Sequence, residues 1–235
     1  MVKWQNNNKQ RTTNHEPIQS VSNQIRIVFE NTGKKFNDRY ILRDLNFTIN
    51  PSDRLAILGS NGSGKSTLLQ MIAGYIQPST GKISFYNNDV PLDAENVFSH
   101  ISIASPYLEL IDDYTLLEMV QFHSGLKKII NGSGVKDVIE RSGLNSETNK
   151  PVRNFSSGMK QRLKLTLAFM SHTPLLLLDE PLTNLDEAGT SWYKDMITSF
   201  SGVRTVIVCS NKNSPEYDFC TRKIVLSESK AYVHG

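Results

Sequence analysis

The chain has 235 residues, 38% of them hydrophobic and 21% charged, with a net charge of +3. That length allows one domain or two packed subdomains, and so mild a basic balance, with no stripe of Lys and Arg, argues against a nucleic-acid partner. Two cysteines, Cys209 and Cys220, form no disulfide framework and suggest a reducing compartment, and no apolar run reaches the roughly 20 residues of a membrane-spanning helix.

From the N-terminus, MVKWQNNNKQRTTNHEP is polar and Asn-rich and lacks the apolar stretch of a signal peptide, so residues 1–23 are expected to be a disordered leader. The first strand is expected at Gln24–Phe29. A second, Arg54–Leu58, runs into the loop Gly59-Ser60-Asn61-Gly62-Ser63-Gly64-Lys65-Ser66-Thr67, and an apolar helical run begins at Lys65. Its spacing is that of a phosphate-binding loop, G-x-x-x-x-G-K-[ST], in the strand-to-helix setting that motif requires. Glycines let successive N–H groups face one set of phosphates, and the helix that follows turns its positive dipole end to the same anion. Lys65 brings a cation to the β- and γ-phosphates of ATP, and the Ser66 hydroxyl is a ligand for Mg²⁺.

Further strands are expected at Lys82–Tyr86 and Ile101–Ala104. Between Pro106 and Asn154 only helices suggest themselves: YTLLEMVQFH carries a capping box, Thr115 with Glu118, and Val135–Ser142 stops at Gly143, with the turn NGSG, 131–134, between them. His100 and His123 have no companions at metal-ligand spacing and read as structural or exposed. The run LLLLDE, Leu175–Glu180, fits a strand buried on both faces that ends on two acids. Asp179 would then hold the metal, and Glu180 would orient or deprotonate the water attacking the γ-phosphate. Strands at Thr205–Cys209 and Lys223–Leu226 complete a βα alternation, the pattern of a largely parallel sheet with helices on its faces. Cys209, at a strand end, reads as a core residue.

FSSGMKQRLKLTLAFM, Phe155–Met170, resembles the LSGGQ signature of the ABC ATPases. Phe155 stands where Leu is usual, Ser157 for the first Gly and Met159 for Gln, while Ser156, Gly158 and the following KQR are kept. PLTNLD, Pro181–Asp186, looks like that family's D-loop. The resemblance covers the chain from about Ile25 onward. It implies an α/β P-loop NTPase of the ABC ATPase fold: a mostly parallel sheet core over 24–105 and 155–235, a small antiparallel β subdomain, and a short helical subdomain over 106–154. It also implies a head-to-tail dimer, homo- or heteromeric, in which Ser156, Ser157 and Gly158 serve the partner's ATP and Asp186 belongs to the D-loop. Ser156 is at the same time suited to cap its own helix.

Two departures bear on activity. Members of the family carry a Gln after the strand Ile101–Ala104, where this chain has Ser105 or Pro106, with Glu109 as a substitute from the loop. They also carry a His where this chain has Asn211, whose amide donates a hydrogen bond but holds no charge. Slow hydrolysis is therefore expected. Adenine stacking falls to Phe36, with Tyr40 as the alternative, worth about 1 kcal/mol. The resemblance implies an ATP-binding and hydrolysing subunit of an ABC transporter, cytoplasmic and held at the membrane's inner face by membrane-spanning subunits on separate chains. The alternatives are a soluble assembly factor and a slow, ATP-dependent regulatory clamp.

Overall fold

The computed structural model describes residues 24–130, 132–211, 213–227 and 230–234. The expected leader, 1–23, lies outside them, as does Asn131 of the NGSG turn. Strands β1 (Ile25–Phe36) and β2 (Arg39–Ile49) form a hairpin that continues through β4 (Thr80–Asn87) and β5 (Val90–Leu92) into an antiparallel sheet ordered β2-β1-β4-β5. The hairpin turns on Asn37 and Asp38, both left-handed at φ 45° and 62°, as a tight two-residue hairpin requires.

The sequence reading ended β1 at Phe29 and placed no strand at 39–49. The reason is local. Bulges interrupt the pairing between Phe29 and Lys35, Asn31 and Asp44 take φ 46° and 51°, and the inward residues Leu42, Leu45 and Ile49 therefore lose the period of two. Edge strand β5 also escaped notice, with only three residues, as did β10 (Lys230–His234).

The second sheet is ordered β10-β9-β3-β8-β7-β6, with β3 (Arg54–Leu58), β6 (Ile101–Ala104), β7 (Leu175–Asp179), β8 (Thr205–Ser210) and β9 (Arg222–Ser227) parallel and β10 antiparallel. Strand β7 divides two cores. Leu175 and Leu177 face the one built on α1 (Lys65–Ile72) and the antiparallel sheet, with Leu68, Ile27 and Phe85. Leu176 and Leu178 face the other, with α4 (Ser157–Met170) and α5 (Glu187–Phe200). Alternate side chains leave a strand on opposite faces, so a strand between two cores has no polar face to keep.

The segment 106–154 carries α2 (Leu116–Leu126), entered through the Thr115–Glu118 capping box, and α3 (Val135–Ser142), which stops at Gly143 with φ 69°. Leu116, Val120 and Val138 pack into the same core as α4 and β7. The fully buried Arg204, just before β8, donates to the carbonyl of Phe169 (2.9 Å) near the end of α4, and to the hydroxyls of Ser102 (2.6 Å) and Thr173 (2.9 Å). Burial pushes its guanidinium down to about 9. A cation at the negative end of α4 fixes that helix against the sheet.

Candidate active site

Four neighbouring strands deliver the site. In the order β3-β8-β7-β6, Leu58 pairs with Ser210, Cys209 with Asp179, and Leu178 with Ala104. The next residues on each strand therefore emerge side by side: the glycine loop after β3, Asn211 after β8, Glu180 after β7 and Ser105 after β6. Ligands of open α/β sheets bind outside the carboxyl ends of the strands. There a cleft of ≈430 Å³ is lined by Asn61, Gly62, Gly64, Lys65, Ser66, Thr67, Asp179 and Glu180, with Phe36, Ile41, Pro106 and Tyr107 at its walls.

Gly62 and Gly64 take φ 79° and 99°, and a Cβ on Gly64 would lie 3.0 Å from Leu42 Cδ2. Only glycine fits that backbone without strain. Gly64 begins α1, whose first N–H groups open toward the cleft. Ser63 Oγ is buried without a hydrogen-bond partner. Lys65 is only 5% exposed. Its Nζ donates to the carbonyls of Gly59 (3.0 Å) and Ser60 (3.1 Å) and to Asn211 Oδ1 (2.8 Å), and lies 3.7 Å from Glu180 Oε1. The ammonium is thus anchored on oxygen acceptors at the cleft floor.

Asp179 is buried at 2% exposure. Its Oδ2 accepts from Ser66 Oγ at 3.0 Å and from Ser105 Oγ at 3.5 Å. Burial pushes its carboxyl up, Ser66 pulls it back, and the neighbouring Glu180 charge pushes it further up. A buried carboxylate beside a hydroxyl matches the all-oxygen donors that Mg²⁺ takes from proteins, usually one or two side chains with substrate phosphates completing the shell. The pair Ser66–Asp179 fits such an ion. Glu180 follows in the left-handed region at φ 45°, its N–H held by the Cys209 carbonyl at 2.9 Å, which turns its side chain out of the strand's alternation.

Other expected residues are placed as follows. Phe36 is half exposed at the cleft wall, with Lys34 Nζ 5.2 Å from its ring centre, whereas Tyr40 lies outside the lining with Lys35 Nζ 4.5 Å and Arg43 Cζ 4.0 Å from its ring centre. Asn211 donates to Asn61 Oδ1 as well as accepting from Lys65. Ser156 caps α4, accepting from the Met159 N–H at 3.2 Å, and with Ser157 it is exposed, away from this chain's own cleft lining. Asp186 caps α5 through Gly189 N–H at 2.7 Å. Glu109 lies outside the lining and acts on Lys164. His100 bonds Asn87 and Ser99, and His123 bonds Ser171, so both are structural. Sequence reasoning missed Ile41 and Tyr107, which the fold alone brings to the cleft.

A family model described as ABC transporter matches residues 42–183. Among curated relatives, the Nod factor export ATP-binding protein I of Burkholderia lata is 28% identical over 213 residues, 89% of this chain and 70% of that one. The protein of the same name from Rhizobium etli is 28% identical over 89% of this chain and 67% of its own. Among solved structures, a bacterial Atm1-family ABC exporter with ATP bound superposes with a TM-score of 0.75 at 20% identity, over 92% of this chain and 39% of that one. A dimeric bacterial ABC transporter cassette gives 0.73 at 24%, over 87% and 96%. Both likenesses are of fold.

Proposed function

The chain belongs to the ABC transporter family, and from that premise we propose that it is the ATP-binding and ATP-hydrolysing subunit of an ABC transporter. The observation that carries this is the convergence of Lys65, Ser66, Asp179 and Glu180 on one cleft. Two relatives named as export ATP-binding proteins support the same reading.

The backbone N–H groups from Gly62 to Lys65, with the start of α1, cradle the β-phosphate of ATP, and Phe36 stacks on adenine. Lys65 turns from the Gly59 and Ser60 carbonyls toward the phosphates. Ser66 and Asp179 would hold Mg²⁺, which neutralises charge on the phosphate oxygens. Glu180 accepts the proton of the attacking water, and Lys65, 3.7 Å away, keeps that carboxylate aimed. Asn211 contributes a hydrogen bond without charge, and the place of the family's Gln falls to Ser105 or Pro106, neither of which offers a side-chain amide, so hydrolysis is slow.

The second site element comes from another ABC ATPase subunit, identical or not: Ser156, Ser157 and Gly158 of each subunit close over the other's γ-phosphate, and Asp186 stands at the contact. Membrane-spanning subunits on separate chains complete the transporter, with this chain on their cytoplasmic face and 106–154 as the helical subdomain that meets them. Among the described residues, no helix is long and apolar enough to cross a membrane.

A tagged Glu180→Gln chain, extracted from native membranes in mild detergent with ATP and Mg²⁺, tests this. A polytopic membrane protein in stoichiometric amount is expected. Recovery only from the soluble fraction refutes the transporter role and leaves a soluble assembly factor or a slow clamp. The clamp draws support from Asn211, which already ties Lys65 to Asn61. ATP turnover by the wild-type chain at background level would select it.

A further inference from the structure

Glu180 is followed by a loop held from two sides. Leu182, two residues on, donates its N–H to Glu216 Oε1 at 3.2 Å. Glu216 is 3% exposed and ends the 3-10 turn Ser214–Glu216, which follows β8 and Asn211. Its own backbone is fixed at both ends: its N–H donates to the Asn213 carbonyl (3.0 Å), and the Tyr193 hydroxyl donates to its carbonyl (2.8 Å). The Asn213 N–H in turn donates to Ser210 Oγ, the last residue of β8, at 3.1 Å. Burial pushes the Glu216 carboxyl up, Ser210 and the Leu182 amide pull it back, and the charge of Glu180 pushes it up again.

On its other side the same loop meets α4. Gln161, also buried, donates its Nε2 to the Pro181 carbonyl at 2.9 Å. A Cβ on Gly158 would come within 2.9 Å of the Asn184 carbonyl. Residues 181–184 therefore have one neighbour in the helix capped by Ser156 and another in the turn that follows Asn211.

We propose that Glu216 is a positioning residue for hydrolysis: its carboxylate oxygen, bonded to the Leu182 N–H, ties the loop that orients Glu180 to the loop that carries Asn211. Because Gln161 and Gly158 hold the same loop from α4, a shift of that helix against a partner subunit reaches Glu180 through residues 181–182. The inference rests on the reading of Glu180 as the residue that orients water. What the site needs from Glu216 is an acceptor oxygen at a set place rather than bulk or charge.

The test compares Glu216→Gln, which keeps an acceptor, with Glu216→Met, which keeps the volume and loses it. Tyr193→Phe serves as control, since it removes the bond to the Glu216 carbonyl and leaves the carboxylate alone. ATP turnover is measured on the full chain, with Glu180→Gln in parallel. Glu216→Gln should stay within about twofold of wild type. Glu216→Met should lose about ten- to a hundredfold in kcat with KM for ATP nearly unchanged, the size expected for a displaced catalytic group. Tyr193→Phe should lower stability and leave kcat in place. An unchanged kcat in Glu216→Met overturns the proposal, as does an equal loss in Glu216→Gln or in Tyr193→Phe. Undiminished turnover in Glu180→Gln would instead strike the catalytic role on which the inference stands. Hydrogen exchange at the Leu182 amide decides the matter even if Glu216→Met does not fold: protection in wild type and in Glu216→Gln is expected, and rapid exchange in wild type overturns the bond itself.

Discussion

Asp179→Asn should make the nucleotide-free chain more stable and the nucleotide-loaded one less so. Asp179 is a buried carboxylate whose bonded neighbours in the cleft are the neutral hydroxyls of Ser66 and Ser105. Its raised pKa states the same cost, with burial as the main cause. Asparagine keeps an acceptor for Ser66 but carries no charge. Weakening a charge-assisted bond to a neutral one loses about 1 kcal/mol, while relief of an unpaired buried charge returns about 2–3 kcal/mol. The net gain of about 1–2 kcal/mol corresponds to a rise in Tm of roughly 3–6 °C for a domain of this size. With ATP and Mg²⁺ at a hundred times Kd, the wild type gains about 2.7 kcal/mol, and the variant should lose most of that shift. A carboxyl with a raised folded pKa binds its proton more tightly folded than unfolded. Its penalty is therefore absent below the unfolded value near 3.8 and full above the folded one, and the variant's advantage should shrink as pH falls. Thermal unfolding with and without Mg²⁺ and ATP, from neutral to acidic pH, measures all of this. A lower Tm for the nucleotide-free variant at neutral pH would refute the argument, because it would mean that the charge is already compensated.

Three further outcomes are expected. Lys65→Ala should weaken ATP binding by more than about tenfold, since it removes the cation from the cleft floor; unchanged affinity in a titration with labelled ATP would undo the phosphate-loop assignment. Asn211→His should raise single-turnover hydrolysis; a flat or lower rate would mean that the 2.8 Å bond to Lys65 matters more than a charge beside the γ-phosphate. Arg204→Met should cost about 2–4 kcal/mol in denaturant unfolding, because the Phe169 carbonyl and the Ser102 and Thr173 hydroxyls lose their donor inside the core. Equal or greater stability would mean that the buried charge costs as much as its bonds return.

What could be seen in advance divides by the range over which a residue acts. The glycine loop, the caps at Thr115 and Ser156 and the stop at Gly143 answer local demands, a positive φ or an orphan N–H, and those demands leave a mark within a few positions of sequence. The strand β7 is legible for a similar reason, since a strand between two cores must be apolar at every position. Strand β2 is not, because its bulges break the only pattern that announces it. Residues that act across the fold leave no local mark at all. Arg204 has the chemistry of a surface residue and lies wholly inside, and although the place of Asn211 after a strand is legible, its bond to a lysine 146 positions away is not. Glu216 finds Leu182 across 34 positions, and nothing in SNKNSPEYD distinguishes that glutamate from a solvated one.

The same division bears on how the site is tuned. The groups proposed to meet phosphate, metal and water sit on the strand ends and on one loop, where the sheet's register sets them in place. The residues linking them, Asn211 to Lys65 and Glu216 to Leu182, both come from the stretch after β8. That stretch keeps a bond to each neighbour. A loop that presents an uncharged amide and holds both the lysine and the loop after Glu180 is better suited to set geometry than to move protons. On that view, introducing a histidine at Asn211 should change the rate by a smaller factor than disrupting Glu216. Comparing Asn211→His and Glu216→Met in one turnover assay would show whether geometry or charge limits the rate.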